Sequence, residues 1–206
     1  MLSAHHIVRL QDSHTALWHG PEATTPELDA GPRITPPALD RLVIEQHRAN
    51  FDLWHQEDDA RAPGASDATL AAVKRSIDVT NQRRNDLTEE IDHLLLASLG
   101  AAGSTQPEAE LHSETPGLMI DRLSILSLKL FHTRAELERV HAPPGHRERN
   151  QKRLGLLIEQ RGDLEGCLER LWQQVCTGQR RFKVYRQLKM YNDPELNPAI
   201  YGRGPA

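Results

Sequence analysis

Apolar residues recur with the 3.6-residue period of an α-helix through four long stretches of the chain, and no stretch of any length alternates as a strand does. The first opens at Pro36 and Pro37, which suit the first turn of a helix after Thr35, a natural N-cap. Leu39, Leu42, Val43, Gln46, Asn50, Leu53, Trp54, Glu57 and Arg61 then hold one stripe until Ala-Pro-Gly at 62–64 stops it. Ser66 or Asp67 caps the second, whose stripe runs through Leu70, Val73, Ile77, Asn81, Arg84, Thr88, Ile91 and Leu95 to Gly100. Thr115 and Pro116 open the third, where Leu118, Ile120, Leu123, Leu126, Leu130 and Phe131 wrap most of the way round, so this helix should be the most buried. Ala-Pro-Pro-Gly at 142–145 separates it from the fourth, which carries Leu154, Leu157, Ile158, Arg161, Leu164, Leu168, Leu171 and Trp172 and ends at Gly178. The expected fold is therefore all-α, a four-helix up-and-down bundle over residues 36–198. Residues 1–35, rich in His, Thr, Pro and Gly, read as a partly ordered arm with one short amphipathic piece near His5–Trp18. A short helix should follow Gly178, and residues 199–206 close the chain as a tail.

Polar residues stand where a bundle wants leucine. At 100° per residue, Asn50 and Glu57 fall within about 20° of the direction of Leu39, with Trp54 and Arg61 beside them. Lys74, Asn81, Arg84 and Asn85 share the face of Leu70 and Ile77. The third helix sets Asp121, Arg122, Lys129 and His132 around Ile125, and the fourth places Arg161 among leucines. A buried unpaired charge costs several kcal/mol, so these groups must pair, reach water or line a cavity. One outcome is an internal network that specifies register; the other is a polar pocket between helices, a usual place for a ligand in a bundle.

Composition sharpens the choice. Arg outnumbers Lys twenty to five, which favours planar, bidentate recognition of phosphate or carboxylate wherever an arginine is buried. The net charge of −4 conceals a split: residues 1–140 carry 13 Lys and Arg against 22 Asp and Glu, leaving 12 against 7 for the rest. Arg180, Arg181, Lys183, Arg186 and Lys189, interleaved with Phe182 and Tyr185, suit docking on the acidic helices better than nucleic acid, given the acidic total. No apolar run reaches the length of a membrane span, and the start, MLSAHHIVRLQ, has no signal-peptide pattern; the expected setting is cytoplasmic. Cys167 and Cys176 read as packing thiols. Eleven histidines show no Glu-x-x-His or His-x-x-x-His spacing on any expected helix, so neither a metal nor another cofactor is expected.

Four segments in order, N-F-D-L-W-H-Q-E-D-D-A-R (50–61), K-R-S-I-D-V-T-N-Q-R-R-N-D (74–86), E-T-P-G-L-M-I-D-R-L-S-I-L-S-L-K (114–129) and Y-R-Q-L-K-M-Y-N-D-P-E-L-N-P (185–198), make the chain resemble a bacterial domain-of-unknown-function family. Its helical members, of about this length, are often encoded beside lipopolysaccharide glycosyltransferases. Residues 117–126 also resemble the G-x-x-I-D-K-L-T-I-L run of a second such family from similar gene neighbourhoods.

The reading that follows is a cationic pocket walled by Asn50, Trp54, Glu57, Lys74, Asn81, Arg84, Asp121 and Arg122, with Arg161 pointing inward. Lys189, Tyr191, Asn192 and Asp193 form either a turn or a lid over it. The expected ligand is an anionic metabolite; its class, a sugar phosphate or nucleotide sugar of envelope polysaccharide synthesis, is what the resemblance implies. His55, Glu57, Asp58 and Glu114 are the candidate acids and bases. Whether the chain is an enzyme stays open: a transferase is one option. Another is an isomerase working by charge stabilisation, as in the all-helical chorismate mutases that K-R-S-I-D resembles. The rival reading is a non-catalytic partner of a glycosyltransferase.

Overall fold

The structure, a computed structural model, describes residues 2–20, 37–103, 106–186, 195–198 and 202. Five helices carry the fold: α1 (Ala4–His19), α2 (Pro37–Asp59), α3 (Asp67–Ala101), α4 (Pro116–Glu138) and α5 (His146–Cys176). Two short strands, β1 (Glu110–Leu111) and β2 (Arg180–Arg181), pair in parallel. The helix starts follow their caps. Ser66 Oγ accepts the Thr69 N–H at 3.2 Å, and Thr115 Oγ1 accepts the Leu118 N–H at 3.3 Å with Pro116 in the first turn. Gly64, Gly103, Gly145 and Gly178 hold positive φ in the breaks that follow α2 to α5 or precede the next element.

Helix α4 contacts all four other helices, as its wrap-around apolar surface requires. Ile120, Leu123, Leu128 and Leu130 are sealed, and Ile120 and Leu123 form the centre of the core with Ile91 of α3, Leu168 of α5 and Leu39 of α2. The piece expected near His5–Trp18 is the sixteen-residue α1, and it belongs to that core through Ile7, Val8 and Leu10. Its stripe looks short in sequence because Gln11 and Thr15 interrupt it, yet both are buried and bonded: Gln11 Nε2 donates to the Ile120 carbonyl at 3.1 Å and the Thr15 hydroxyl to the Gln11 carbonyl at 2.9 Å. The bundle thus gains a fifth helix. Thr35, the expected cap of α2, lies outside the described residues.

Just after Gly178 the chain continues as β2, residues 182–186 are not helical, and Phe182 buries itself against the core; most of the rest of the segment in which a short helix is expected lies outside the described residues. The segment docks on residues 109–112, with the His112 N–H donating to the Arg181 carbonyl and Arg181 Nε to the Ala109 carbonyl, both at 2.8 Å, and with Arg180 3.3 Å from Glu110. Its basic groups therefore meet this loop at the C-terminal ends of α3 and α5. Residues 187–194, which include Lys189, Tyr191, Asn192 and Asp193, lie outside the described residues. Among the described residues no helix is long and apolar enough to cross a membrane, and both cysteines are free.

Candidate functional site

A continuous chain of hydrogen bonds links α1, α2 and α4, and an ion pair extends it to α3. His47 is fully buried, and burial, with His14 nearby, pushes its imidazole down to about 3, so it is neutral. Thr15 has already given its only proton to Gln11, so the hydroxyl must accept from His47 Nε2–H, 2.8 Å away. That leaves His47 Nδ1 to accept the Ser124 hydroxyl proton at 2.7 Å. Asn50 uses its two amide protons on Ser124 Oγ and Asp121 Oδ1, both at 2.9 Å. Gln46 also donates to Asp121 Oδ1, and Arg84 Nε lies 3.6 Å from the same oxygen. These bonds fix the proton positions from Thr15 through His47 and Ser124 to Asn50, and they hold Asp121 and Asn50 in place.

At its α3 end the network meets a cleft of about 540 Å³ between α2, α3 and α4, well within the range of small-molecule sites. Asn50 and Arg84 form its inner end. Leu53, Trp54, Ile77, Ile125 and Leu128 give it apolar walls, Asn81 faces it from α3, and Glu57, Asp58 and Arg61 stand near the end of α2. Glu57 and Arg61 are an exposed i,i+4 pair at 2.6 Å. Arg84 is different: among the described residues its Nε is buried with no hydrogen-bond partner, and Nη2 makes only a long 3.5 Å contact to Asn85. A guanidinium has five donors in a fixed fork, and this one is under-used. Trp54 stacks one ring face on His132 at 4.5 Å, nearly parallel.

Five of the residues expected at the pocket, Asn50, Trp54, Glu57, Asn81 and Arg84, line it, and Asp121 supports Arg84 and Asn50 from behind. Three cations do not join them. Lys74 sits on the exposed first half of α3 and pairs with Asp78. Arg122 is about 100° round α4 from Asp121, so it turns out to Glu114, where its Nη1 donates to both carboxylate oxygens at 2.9 and 3.0 Å. Arg161 faces α1 and holds Asp12 at 2.7 and 2.9 Å. The lining consequently carries two guanidiniums and two carboxylates, an electrically balanced cleft rather than a cationic one. Of the candidate acids and bases, Glu57 and Asp58 line it, Glu114 is held by Arg122, and His55 points to the other side of α2, where it packs with His19, Phe51 and His132. Thr15 and Ser124, which complete the network, carry no sequence signal beyond a hydroxyl within an apolar stripe.

Fold and site together define an all-α protein with a polar cleft between helices, built over a buried hydrogen-bond network. The chain belongs to the family described as "Protein of unknown function (DUF4254)", which matches residues 40–184. The match holds the whole cleft and leaves out α1. No curated protein and no solved structure is significantly similar to the chain.

Proposed function

We propose that the cleft binds an anionic metabolite, with Arg84 as its anchor. The observation that carries this reading is the Arg84 guanidinium, half-buried on the wall of a ligand-sized cleft, whose contacts among the described residues are Asp121, 3.6 Å from Nε, and one long 3.5 Å bond from Nη2, so its five-donor fork has donors to spare for a ligand. A phosphate or carboxylate matches that fork. Trp54 offers its remaining ring face to a sugar or base, while Glu57, Asp58 and Asn81 can accept or donate to hydroxyls. This favours a sugar phosphate or nucleotide sugar, the class also implied by the resemblance to proteins encoded beside lipopolysaccharide glycosyltransferases. Thermal shift against phosphosugars, nucleotide sugars and their neutral parent sugars tests it. A ligand at about 100 times its Kd adds about 2.7 kcal/mol, which raises the Tm of a chain this size by roughly 5–10 °C. The gain should vanish in Arg84→Gln and be absent for the neutral sugars. If no anion moves the Tm of the wild type, the reading fails.

The buried network favours a second reading, a non-catalytic partner of a glycosyltransferase, since such networks set register without chemistry. Co-purification with a glycosyltransferase, unchanged in Arg84→Gln, supports it.

A further inference from the structure

His19, His55 and His132 come from three helices and meet near the C-terminal ends of α1, α2 and α4, one ring nitrogen of each lying within 4.8 Å of the others. The proton positions on two of the rings follow from their bonds. His19 Nδ1 is 2.8 Å from the Thr15 carbonyl and His55 Nδ1 is 2.9 Å from the Phe51 carbonyl, so each Nδ1 carries the hydrogen and each Nε2 carries the lone pair. His19 Nε2 and His132 Nε2 are both buried without a hydrogen-bond partner among the described residues. An imidazole whose Nδ1–H is fixed on a backbone carbonyl and whose Nε2 lone pair is unspent is the arrangement of a metal-ligating histidine.

We propose that His19, His55 and His132 form a three-histidine site for a divalent transition metal of the imidazole-preferring class, such as zinc, bound through their Nε2 atoms. Tetrahedral ligands at about 2.0–2.1 Å from zinc stand roughly 3.3 Å apart, so small side-chain rotations close the set. Three protein ligands leave a coordination position open, as in catalytic rather than structural zinc sites. The site adjoins the cleft: His132 stacks on Trp54, and the charge of Asp58 reaches His132. A ligand anchored by Arg84 would lie beside it, although the metal site stands on its own geometry and not on that anchor. His19 lies outside the family match while His55 and His132 lie inside it, so α1 completes the site.

The test uses the full chain, purified without a polyhistidine tag and stripped with chelator, with Zn²⁺ and Co²⁺ as probes and no anionic ligand present. Calorimetry should find one equivalent of Zn²⁺ per chain, and Co²⁺ should give the visible absorption of a four-coordinate site. His55→Gln and His132→Gln should each weaken binding by more than the roughly 10–100-fold that loss of an orienting partner costs, whereas the exposed His141→Gln leaves it unchanged. Histidine side-chain NMR of the wild type needs no variant: Zn²⁺ should move the Nε2 signals of three of the eleven histidines. Absence of stoichiometric binding, binding that survives both cluster variants, or Zn²⁺ shifts on other histidines overturns the proposal. Metal binding without any anion-dependent Tm gain leaves this site standing and removes the proposed role of Arg84.

Discussion

Gly117, in the first turn of α4, decides how closely that helix approaches α3. A Cβ built there would lie 2.6 Å from the Thr88 carbonyl oxygen and 2.8 Å from the Asp92 carboxylate. Carbon and oxygen settle at about 3.3–3.6 Å, so Gly117→Ala must push the helices apart by roughly 0.7 Å, and a backbone carbonyl cannot rotate out of the way. Overpacking of this kind costs about 1–3 kcal/mol. The shift also pulls the Gly117 N–H from Asp92 Oδ1, now at 2.7 Å, and a hydrogen bond to a charged group contributes about 1.5–3 kcal/mol. Against these stands the better helix propensity of alanine, about 1 kcal/mol. The expected net loss is about 2–4 kcal/mol, or a Tm lowered by roughly 5–15 °C, read by thermal and urea unfolding at pH 7. Gly162→Ala is the matched control, since nothing lies within 4 Å of its added Cβ on an exposed face of α5, and it should stabilise by about 0.5–1 kcal/mol. A Gly117→Ala protein as stable as the wild type, or more so, would refute the claim that contact at this glycine sets the α3–α4 spacing.

Titration supplies two opposed predictions. The folded-state pKa of His47, about 3, lies below its ordinary 6.5, so its stabilising contribution is full above pH 6.5 and is lost as pH falls toward 3. Between pH 7 and 5 that is at most about 2 kcal/mol, seen as the difference in unfolding free energy between wild type and His47→Gln; a pH-independent difference contradicts it. Asp92, buried against Thr115 and Gly117, is raised by burial from 3.8 to about 6, so it favours the folded state below pH 4 and loses that contribution as pH rises through 6. Asp92→Asn should remove up to about 3 kcal/mol of this pH dependence between pH 4 and 7, and urea titrations of both proteins that run parallel across that range would refute it. Finally, the half-buried Arg161–Asp12 pair ties α5 to α1, and a double-mutant cycle to alanine should give a coupling of about 1 kcal/mol that shrinks in high salt. Zero coupling would mean that this pair contributes nothing to holding α1 on α5.

Much of the architecture was legible in the chain itself. Ser66 and Thr115 stand at the starts of α3 and α4, Pro and Gly runs separate the long helices, and the apolar wrap of residues 116–138 marks α4 as the central one. Asn50, Trp54 and Glu57 on one helix and Asn81 and Arg84 on the next were legible as one polar face because helical period fixes each side chain's direction about its own axis. The same rule separates Asp121 from Arg122, yet period alone does not say which of two neighbours a helix turns toward its partners. Nor does it say how far a helix outruns them, and so Lys74 reads as interior although the first half of α3 is exposed. Helix α1 is half hidden in sequence because its buried face includes Gln11 and Thr15, whose burial makes sense only once Ile120 and His47 are there to bond them.

The three-histidine cluster marks the limit most clearly. A metal site built within one helix leaves a spacing of three or four residues, but His19, His55 and His132 are separated by most of a helix or more of intervening chain and share no pattern. The sequence by itself determined the helices, their caps and the direction of each polar face, because those depend on local sterics and period. The tertiary structure alone decided which faces meet, that α1 closes the core, and that three distant imidazoles converge, because helix rotation and register are set by packing among elements far apart in the chain.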